Sequence, residues 1–473
     1  TAREQRSTPI GEPVDDEVNA TRAGVPLRAK RAAALGKVVA GHAVRSAITT
    51  AIKPVSADVA ARRDADILRF ADDLVAVAGS MKGAAQKLGQ LLSVVDVGIT
   101  SASVRDEFTA RLAPLFDNAP RVPDATMHAA LEGELGSLRS RIADIETGAI
   151  ASASIGQVYR GRLDDGRTVA IKIQYPDIAA KVRADLKNLQ LITKLAAKKM
   201  PASNTQAIVA EVQRQMIKEV DYRTELVHHQ RMFETFRGHP VCRIPAPISE
   251  LCTEHVLVTE YLDGVPFDHL TDEDQPVRDR VGEAIYRFYC GEMYRTGFFC
   301  ADPHPGNIML LPDGRVGFVD FGLCTDMDLY DAEVQRKVFR ALLTGDDDGA
   351  FELAVAAGFL ADPASMERGA AIEYIRAVSS WHLVDGSLRM TPDIARRSVA
   401  DAVLPSSRFY DGIRNQRLVE THAMARRTEM CVAALLGKLG AEAPWSAIAR
   451  EYLDLADTVT PMGADIEIWS QQR

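Results

Sequence analysis

Apolar positions in the first third of the chain return at three- and four-residue intervals: Leu68, Leu74, Val77, Met81, Leu88, Leu91 and Leu92. That spacing lays them along one face of a helix, so residues 58–147 are expected to form a helical unit. The texture then changes. Residues 158–162 and 168–174 are short runs rich in β-branched side chains on either side of Asp164-Asp165-Gly166, which predicts a hairpin. A further strand pair is expected over 248–251 and 255–261, with helical periodicity over 178–199 and 206–236. Beyond Asp263 the pattern is mainly helical. Loops interrupt it at 302–320, where two short apolar runs, 308–311 and 316–318, flank the turn Pro312-Asp313-Gly314.

At 473 residues the chain exceeds one hydrophobic core, since domains average roughly 150 residues. The order of patterns divides it into a polar tail and basic amphipathic segment (1–57), the helical extension (58–147), a sheet-rich lobe (148–262) and a helical lobe with C-terminal helices (263–473). The expected fold class is therefore α+β, in two lobes. Residues 21–57 contain no acidic side chain, while Arg22, Arg28, Lys30, Arg31, Lys37, Arg45 and Lys53 are basic. The segment reads either as a surface for anionic lipid or as a helix packed on its own domain with a solvated basic face.

Composition narrows the function. With 47% hydrophobic and 26% charged residues the chain can bury a core. A formal net charge of -9 argues against nucleic acid as a partner, because that affinity begins with a basic face meeting phosphates. The six cysteines lie far apart with no Cys-x-x-Cys pair, so neither a zinc site nor a disulfide framework is signalled, and reduced thiols in a cytoplasmic protein are expected. No run approaches the ~18 apolar residues of a membrane span, and the start lacks the apolar core of a signal peptide. The expected location is cytoplasmic, with peripheral contact at the inner face of the membrane allowed.

The candidate chemistry follows an order. Phosphoryl transfer needs a lysine on the phosphates, metal ions to neutralise developing charge, and an aspartate to orient the attacking group. Lys172 stands in Val-Ala-Ile-Lys on the second strand of the hairpin, the form of the strand lysine of kinases. Asp302 precedes Asn307 by the catalytic-loop spacing, and Asp320-Phe321-Gly322 follows a short hairpin. Asn307 and Asp320 are the expected oxygen ligands for magnesium, which takes few protein ligands beside water and phosphate. Residues 257–264 read as an apolar strand ending in a turn between the lobes. There the backbone of Glu260 and Leu262 would meet adenine, with Thr259 at the gatekeeping position. His304, Cys300 and Cys324 flank this region without metal-ligand spacing and are assigned to loop structure and packing.

Where a glycine-rich phosphate loop should precede the lysine, the chain reads Ala151-Ser152-Ala153-Ser154-Ile155-Gly156-Gln157-Val158. Methyl side chains hold the backbone further from phosphate than glycine does. This alanine-rich loop, followed by Val-Ala-Ile-Lys-Ile-Gln-Tyr-Pro, resembles the UbiB family of atypical kinases, also called AarF-domain kinases. Lys87-Leu88-Gly89-Gln90 is similar to that family's Lys-x-Gly-Gln signature, Glu219-Val220-Asp221 to its Glu-x-Asp element, and Asp302-Pro303-His304-Pro305-Gly306-Asn307 to its catalytic loop. Ala301 stands where the arginine of His-Arg-Asp would be. The resemblance covers residues 81–324.

The resemblance implies an atypical protein-kinase-like two-lobed fold with ATP and Mg2+ as cofactors. It implies that Glu219 pairs with Lys172, that Asp221 adds to the metal environment, and that Lys87 and Gln90 cross the cleft where a peptide would otherwise bind. It therefore favours ATP hydrolysis or a small or isoprenoid-lipid, quinone-type acceptor at a membrane surface. The absence of Ala-Pro-Glu after Gly322 also argues against a peptide kinase. The chain ends in polar Asp465-Ile466-Glu467-Ile468-Trp469-Ser470 rather than a hydrophobic helix, so membrane contact is expected to be peripheral. Rival readings are a nucleotide-dependent binding protein for a hydrophobic ligand such as an antibiotic, without phosphotransfer, and a conventional protein kinase.

Overall fold

The computed structural model describes residues 121–153, 155–180, 182, 220–360, 362–403 and 420–473, with single positions on two earlier helical segments. The first lobe is built on strands β1 (Ile142–Ile145), β2 (Ala151–Ala153), β3 (Gly156–Leu163) and β4 (Thr168–Gln174). The predicted hairpin is β3–β4, paired from Gly156↔Gln174 to Arg162↔Thr168. Its turn closes at Gly166, whose φ of 90° is the left-handed conformation that favours glycine.

Helix α1 (Asp124–Leu135) lies against this sheet through Met127, Leu131 and Leu135, each one helical turn after the last and all buried in the same core as Tyr159, Ile171 and Val258. The sheet therefore begins at Ile142, and its covering helix at Asp124, ahead of the boundary expected at residue 148.

After helix α2 (Tyr222–Thr235) and the short strand β5 (Cys242–Arg243), strand β6 (Val256–Glu260) completes a five-stranded antiparallel sheet in the order β1-β3-β4-β6, with β2 beside β3. The strand expected over 248–251 does not form. Ser249–Leu251 is a turn of 3-10 helix, and only Pro247 bridges to Thr259. The physical cause is upstream: Pro245 and Pro247 offer no amide donor, so a continuous ladder cannot run through them.

The second lobe is helical, as the periodicity predicts. Its helices include α3 (Gln275–Tyr286), α4 (Leu329–Thr344), α5 (Asp347–Ala356), α6 (Arg368–Val378), α7 (Pro392–Val403), α8 (Glu420–Leu439), α9 (Trp445–Tyr452) and α10 (Pro461–Gln471). Aromatic packing closes the core: the Phe288 and Phe318 rings stack 3.8 Å apart, and Tyr286 meets both Trp381 and Trp445 edge-on or tilted. A buried Arg287 in this core is bonded to Glu283 at 2.8 Å and Glu451 at 2.7 Å, the pairing that a charge removed from water requires.

Small strands carry the loops of interest on this helical base. Strand β7 (Val265–Pro266) pairs with β9 (Ile308–Leu310), which pairs with β10 (Val316–Phe318) around Gly314 at φ 81°. Strand β8 (Phe298–Cys300) pairs antiparallel with β11 (Cys324–Asp326). Among the described residues, no helix is long and apolar enough to cross a membrane.

Candidate functional site

Lys172 sits on β4 between Ile171 and Ile173, which point into the lobe's core, so alternation turns its side chain to the opposite face. There the ammonium donates to both oxygens of Glu225, at 2.8 and 2.9 Å, and to Asp320 at 3.3 Å, and lies 5.0 Å from the Tyr222 ring centre. Burial disfavours the charged lysine, but Asp320 and Glu225 outweigh it and hold its pKa well above the ordinary value. The strand lysine and the aspartate of Asp-Phe-Gly are thus already joined across the cleft.

The helix carboxylate that meets Lys172 is Glu225, where Glu219 was expected. Asp221 explains why. Its carboxylate accepts the amide of Arg223 at 2.9 Å and caps α2, so the helix begins at Tyr222 and its first turn presents Glu225 to the sheet. Glu219 precedes the cap and lies outside the described residues, as do Lys87 and Gln90. One oxygen of the Asp221 carboxylate is thus engaged at the helix end.

The loop after β8 is tied to the Asp-Phe-Gly segment by backbone bonds. Ala301 donates to Leu323 at 2.7 Å, and Val319 donates to Asn307 at 3.2 Å. These bonds set Asn307 beside the strand that delivers Asp320. His304 braces the loop by accepting the Gly306 amide on Nδ1 at 3.1 Å, in keeping with its expected structural role. Asp320 is steadied by the Gly322 amide on Oδ1 at 3.0 Å. Two flexible oxygen donors on adjacent backbone suit a hard cation that completes its shell with water and phosphate. Among the described residues, no group of three or more His, Cys, Asp or Glu side chains could hold a metal by itself.

Phe321 is fully buried beneath α2. The His229 ring meets it edge-on at 4.7 Å, and His228 Nδ1 donates to its carbonyl at 3.2 Å. His229 Nε2 lies 2.8 Å from the Pro245 carbonyl, and burial pushes its pKa down to about 4, so it is a neutral donor at physiological pH.

Asp302 has a partner that no local pattern announces. Arg427, on α8, donates through Nη2 to Asp302 Oδ1 at 2.7 Å and through Nη1 to the Ala301 carbonyl at 3.0 Å. The only sequence signal is negative: alanine at 301, where the kinase pattern places arginine.

The alanine-rich loop is a tight β2–β3 hairpin pairing Ala151↔Val158, Ser152↔Gln157 and Ala153↔Gly156. Two of its members turn away from the cleft. Ile155 is packed in the sheet's core, and Gln157 is fully buried, accepting the Val122 amide at 2.6 Å and donating to the Tyr159 hydroxyl at 2.7 Å. Their side chains hold the hairpin in place, so any contact these two residues make with nucleotide would be through backbone. Gly156 is needed for packing: an added Cβ would lie 2.3 Å from the Ile173 carbonyl oxygen. Ala151, Ser152, Ala153 and Val158 remain on the accessible side or partly exposed, and Ser154 lies outside the described residues.

At the inter-lobe strand, Thr259 pairs with Ala170 at the end of β6. The Glu260 side chain is held by Arg243 at 2.7 Å and by the Ala246 amide at 3.1 Å, which fixes the path of the backbone into Leu262. Cys300 and Cys324 face each other across the β8–β11 ladder, both buried, as packing thiols.

The chain is similar to known proteins. The ABC1 atypical kinase-like domain model matches residues 114–354, just over half the chain. The atypical kinase COQ8B, mitochondrial, of Danio rerio is 29% identical over 355 residues, covering 73% of this chain and 56% of that protein. The protein ACTIVITY OF BC1 COMPLEX KINASE 8, chloroplastic, of Arabidopsis thaliana is 32% identical over 285 residues, covering 58% and 36%. The chain thus spans about half or less of the length of these curated relatives. Among solved structures, the Rv3197–erythromycin complex from Mycobacterium tuberculosis shares 27% identity with a TM-score of 0.61, covering 81% of this chain and 95% of that one. With its family model and its kinase-like lysine–carboxylate geometry in agreement, the chain belongs to the ABC1 atypical kinase-like family, the UbiB group.

Proposed function

We propose that this chain binds Mg-ATP between its two lobes and transfers or hydrolyses the γ-phosphate, serving a small-molecule or isoprenoid-lipid, quinone-type pathway at a membrane surface. The observation that carries this reading is the Lys172 ammonium held between Glu225 and Asp320. A lysine locked in its charged state at that position can meet phosphate oxygens once the nucleotide arrives. Asp320 and Asn307 would hold magnesium, which supplies neutralising charge to the phosphates as the bond breaks. The Glu260 carbonyl and Leu262 amide would receive adenine.

Asp302 would accept the proton of the acceptor's hydroxyl, or of water, as that oxygen bonds to the γ-phosphorus and the bond to the bridging oxygen of ADP breaks. Lys87 and Gln90 would cover the face where a peptide could enter, which favours a non-protein acceptor. Phosphate release from ATP in the presence of Mg2+ tests the enzyme reading. Wild-type release that Lys172→Ala and Asp320→Asn abolish supports it. Equal release by all three proteins overturns it.

A second reading, a nucleotide-dependent binding protein for a hydrophobic ligand, is favoured by the erythromycin complex of the Mycobacterium tuberculosis relative. The helical lobe does contain an apolar cavity beside Phe339, Phe359 and Ile375, but its volume is about 90 Å³. Drug-sized sites run to roughly 300–1,000 Å³, so a macrolide would need another site or an opened lobe. Mass spectrometry of co-purifying small molecules separates the readings: a bound prenyl lipid or quinone favours the first, and a bound macrolide-class compound without ATP turnover the second.

A further inference from the structure

We infer that Arg427 is the positioning residue of the Asp302 loop, supplied from a distant helix in place of the arginine that Ala301 does not provide. Ala301 is fully buried, and its methyl group carries nothing that could bond its neighbour. Arg427 stands 125 residues downstream of Asp302, near the middle of the 20-residue helix α8, yet it contacts two consecutive residues of the loop. One guanidinium nitrogen takes the Asp302 carboxylate and the other the Ala301 carbonyl. The planar fork therefore fixes a side chain and the backbone that carries it, which a single-point ammonium cannot do.

The two charged groups are about equally shielded, with 25% and 24% of their side chains exposed, so solvent screening weakens the pair only in part. Burial opposes the charge on Arg427, but Asp302 outweighs it and the pKa is raised. Backbone bonds hold the loop at both ends, the Ala301 amide on the Leu323 carbonyl beside Asp302 and the Val319 amide on the Asn307 carbonyl at the far end. Backbone bonds thus set the loop's path, and Arg427 sets the direction of the carboxylate. The kinetic consequence rests on the phosphotransfer reading; the structural one does not.

The test uses the full chain and three variants, Arg427→Ala, Arg427→Lys and Asp302→Asn, after circular dichroism has confirmed that each is folded. Hydrogen exchange across residues 301–307 is measured first. Faster exchange in Arg427→Ala, with the β3–β4 hairpin unchanged, is expected. Unchanged exchange in the loop overturns the assignment whatever the protein does to ATP. Where wild type releases phosphate and Asp302→Asn does not, Arg427→Ala should lower kcat about 100-fold, as small misplacements do, while KM for ATP stays near its wild-type value. Lysine should restore little, and low-millimolar guanidinium chloride should recover part of the alanine variant's rate. Wild-type kcat in Arg427→Ala, or a loss confined to KM, overturns the assignment while leaving the enzyme reading intact. A wild type without turnover defeats the enzyme reading instead, and loop exchange still decides the role of Arg427.

Discussion

Lys172 and Glu225 are 53 residues apart in the chain and 2.8 Å apart in space, and the pair joins the sheet lobe to the helix that crosses behind it. Both side chains are largely buried; losing Lys172 takes the ammonium from the Glu225 carboxylate, and losing Glu225 leaves the lysine with only the longer bond to Asp320 at 3.3 Å. Replacing one member of such a pair typically costs about 3–5 kcal/mol.

That pair separates two candidate glutamates. Glu225→Gln is expected to lower the melting temperature and to reduce ATP-dependent phosphate release by more than about tenfold, roughly 1.4 kcal/mol of lost transition-state binding. Glu219→Gln should leave both close to wild type. Melting curves and phosphate release on the two variants check this, and a larger effect at Glu219 contradicts the assignment of Glu225.

Asp221 makes a different prediction. As the N-cap of α2 it contributes through the helix end, so Asp221→Ala should destabilise by about 1 kcal/mol. The Mg2+ concentration giving half-maximal turnover should stay where it is. A marked rightward shift of that magnesium titration, without a change in stability, would instead place Asp221 near the metal.

Gly156→Ala tests the alanine-rich loop. The new methyl would meet the Ile173 carbonyl oxygen at 2.3 Å on a paired strand that cannot withdraw cheaply. Loss of more than about 2 kcal/mol in urea unfolding is expected, with overpacking as the cause. An alanine variant as stable as wild type would show that the two strands can separate.

Acid should weaken the fold through buried histidines. His239 Nδ1 accepts the amides of Val241 at 3.1 Å and Cys242 at 2.9 Å, and burial, reinforced by nearby arginines, pushes its pKa down to about 3. The unfolded chain binds a proton near pH 6.5 while the folded chain does not, so stability is full above that pH and falls as pH drops towards about 3. The slope is at most about 1.4 kcal/mol per pH unit for this group. His229 and His382 act in the same direction, with pKa values lowered by burial to about 4 and about 3. Urea unfolding of wild type and His239→Asn between neutral pH and about pH 5 should give a shallower pH dependence in the variant. Parallel curves would remove His239 from the account.

The parts of the site legible in sequence were those whose geometry is local. Lys172 follows three apolar strand residues, and alternation alone turns it outward; Asp302, Asn307 and Asp320 are separated by turns whose glycine and proline content sets the spacing. Glu225 and Arg427 were not legible, because each depends on the phase of a helix relative to a surface far away in sequence. One residue's difference in where α2 is capped would send a different side chain towards Lys172. Gln157 shows the converse. Its position in a phosphate-loop pattern suggested ligand contact, but it is the first residue after a strand's opening glycine, and alternation carries its amide inward to Val122 and Tyr159.

Helix α2 carries Glu225 against Lys172, His228 against the Phe321 carbonyl and His229 against the Phe321 ring, all within five residues. Successive positions on a helix are about 100° apart, so a turn of α2 about its own axis large enough to release the lysine would also withdraw both histidines from Phe321. Helix α2 is therefore a common mount: its side chains meet the strand lysine and the residue that follows Asp320 at once, so a shift of this one element would disturb both sides of the cleft.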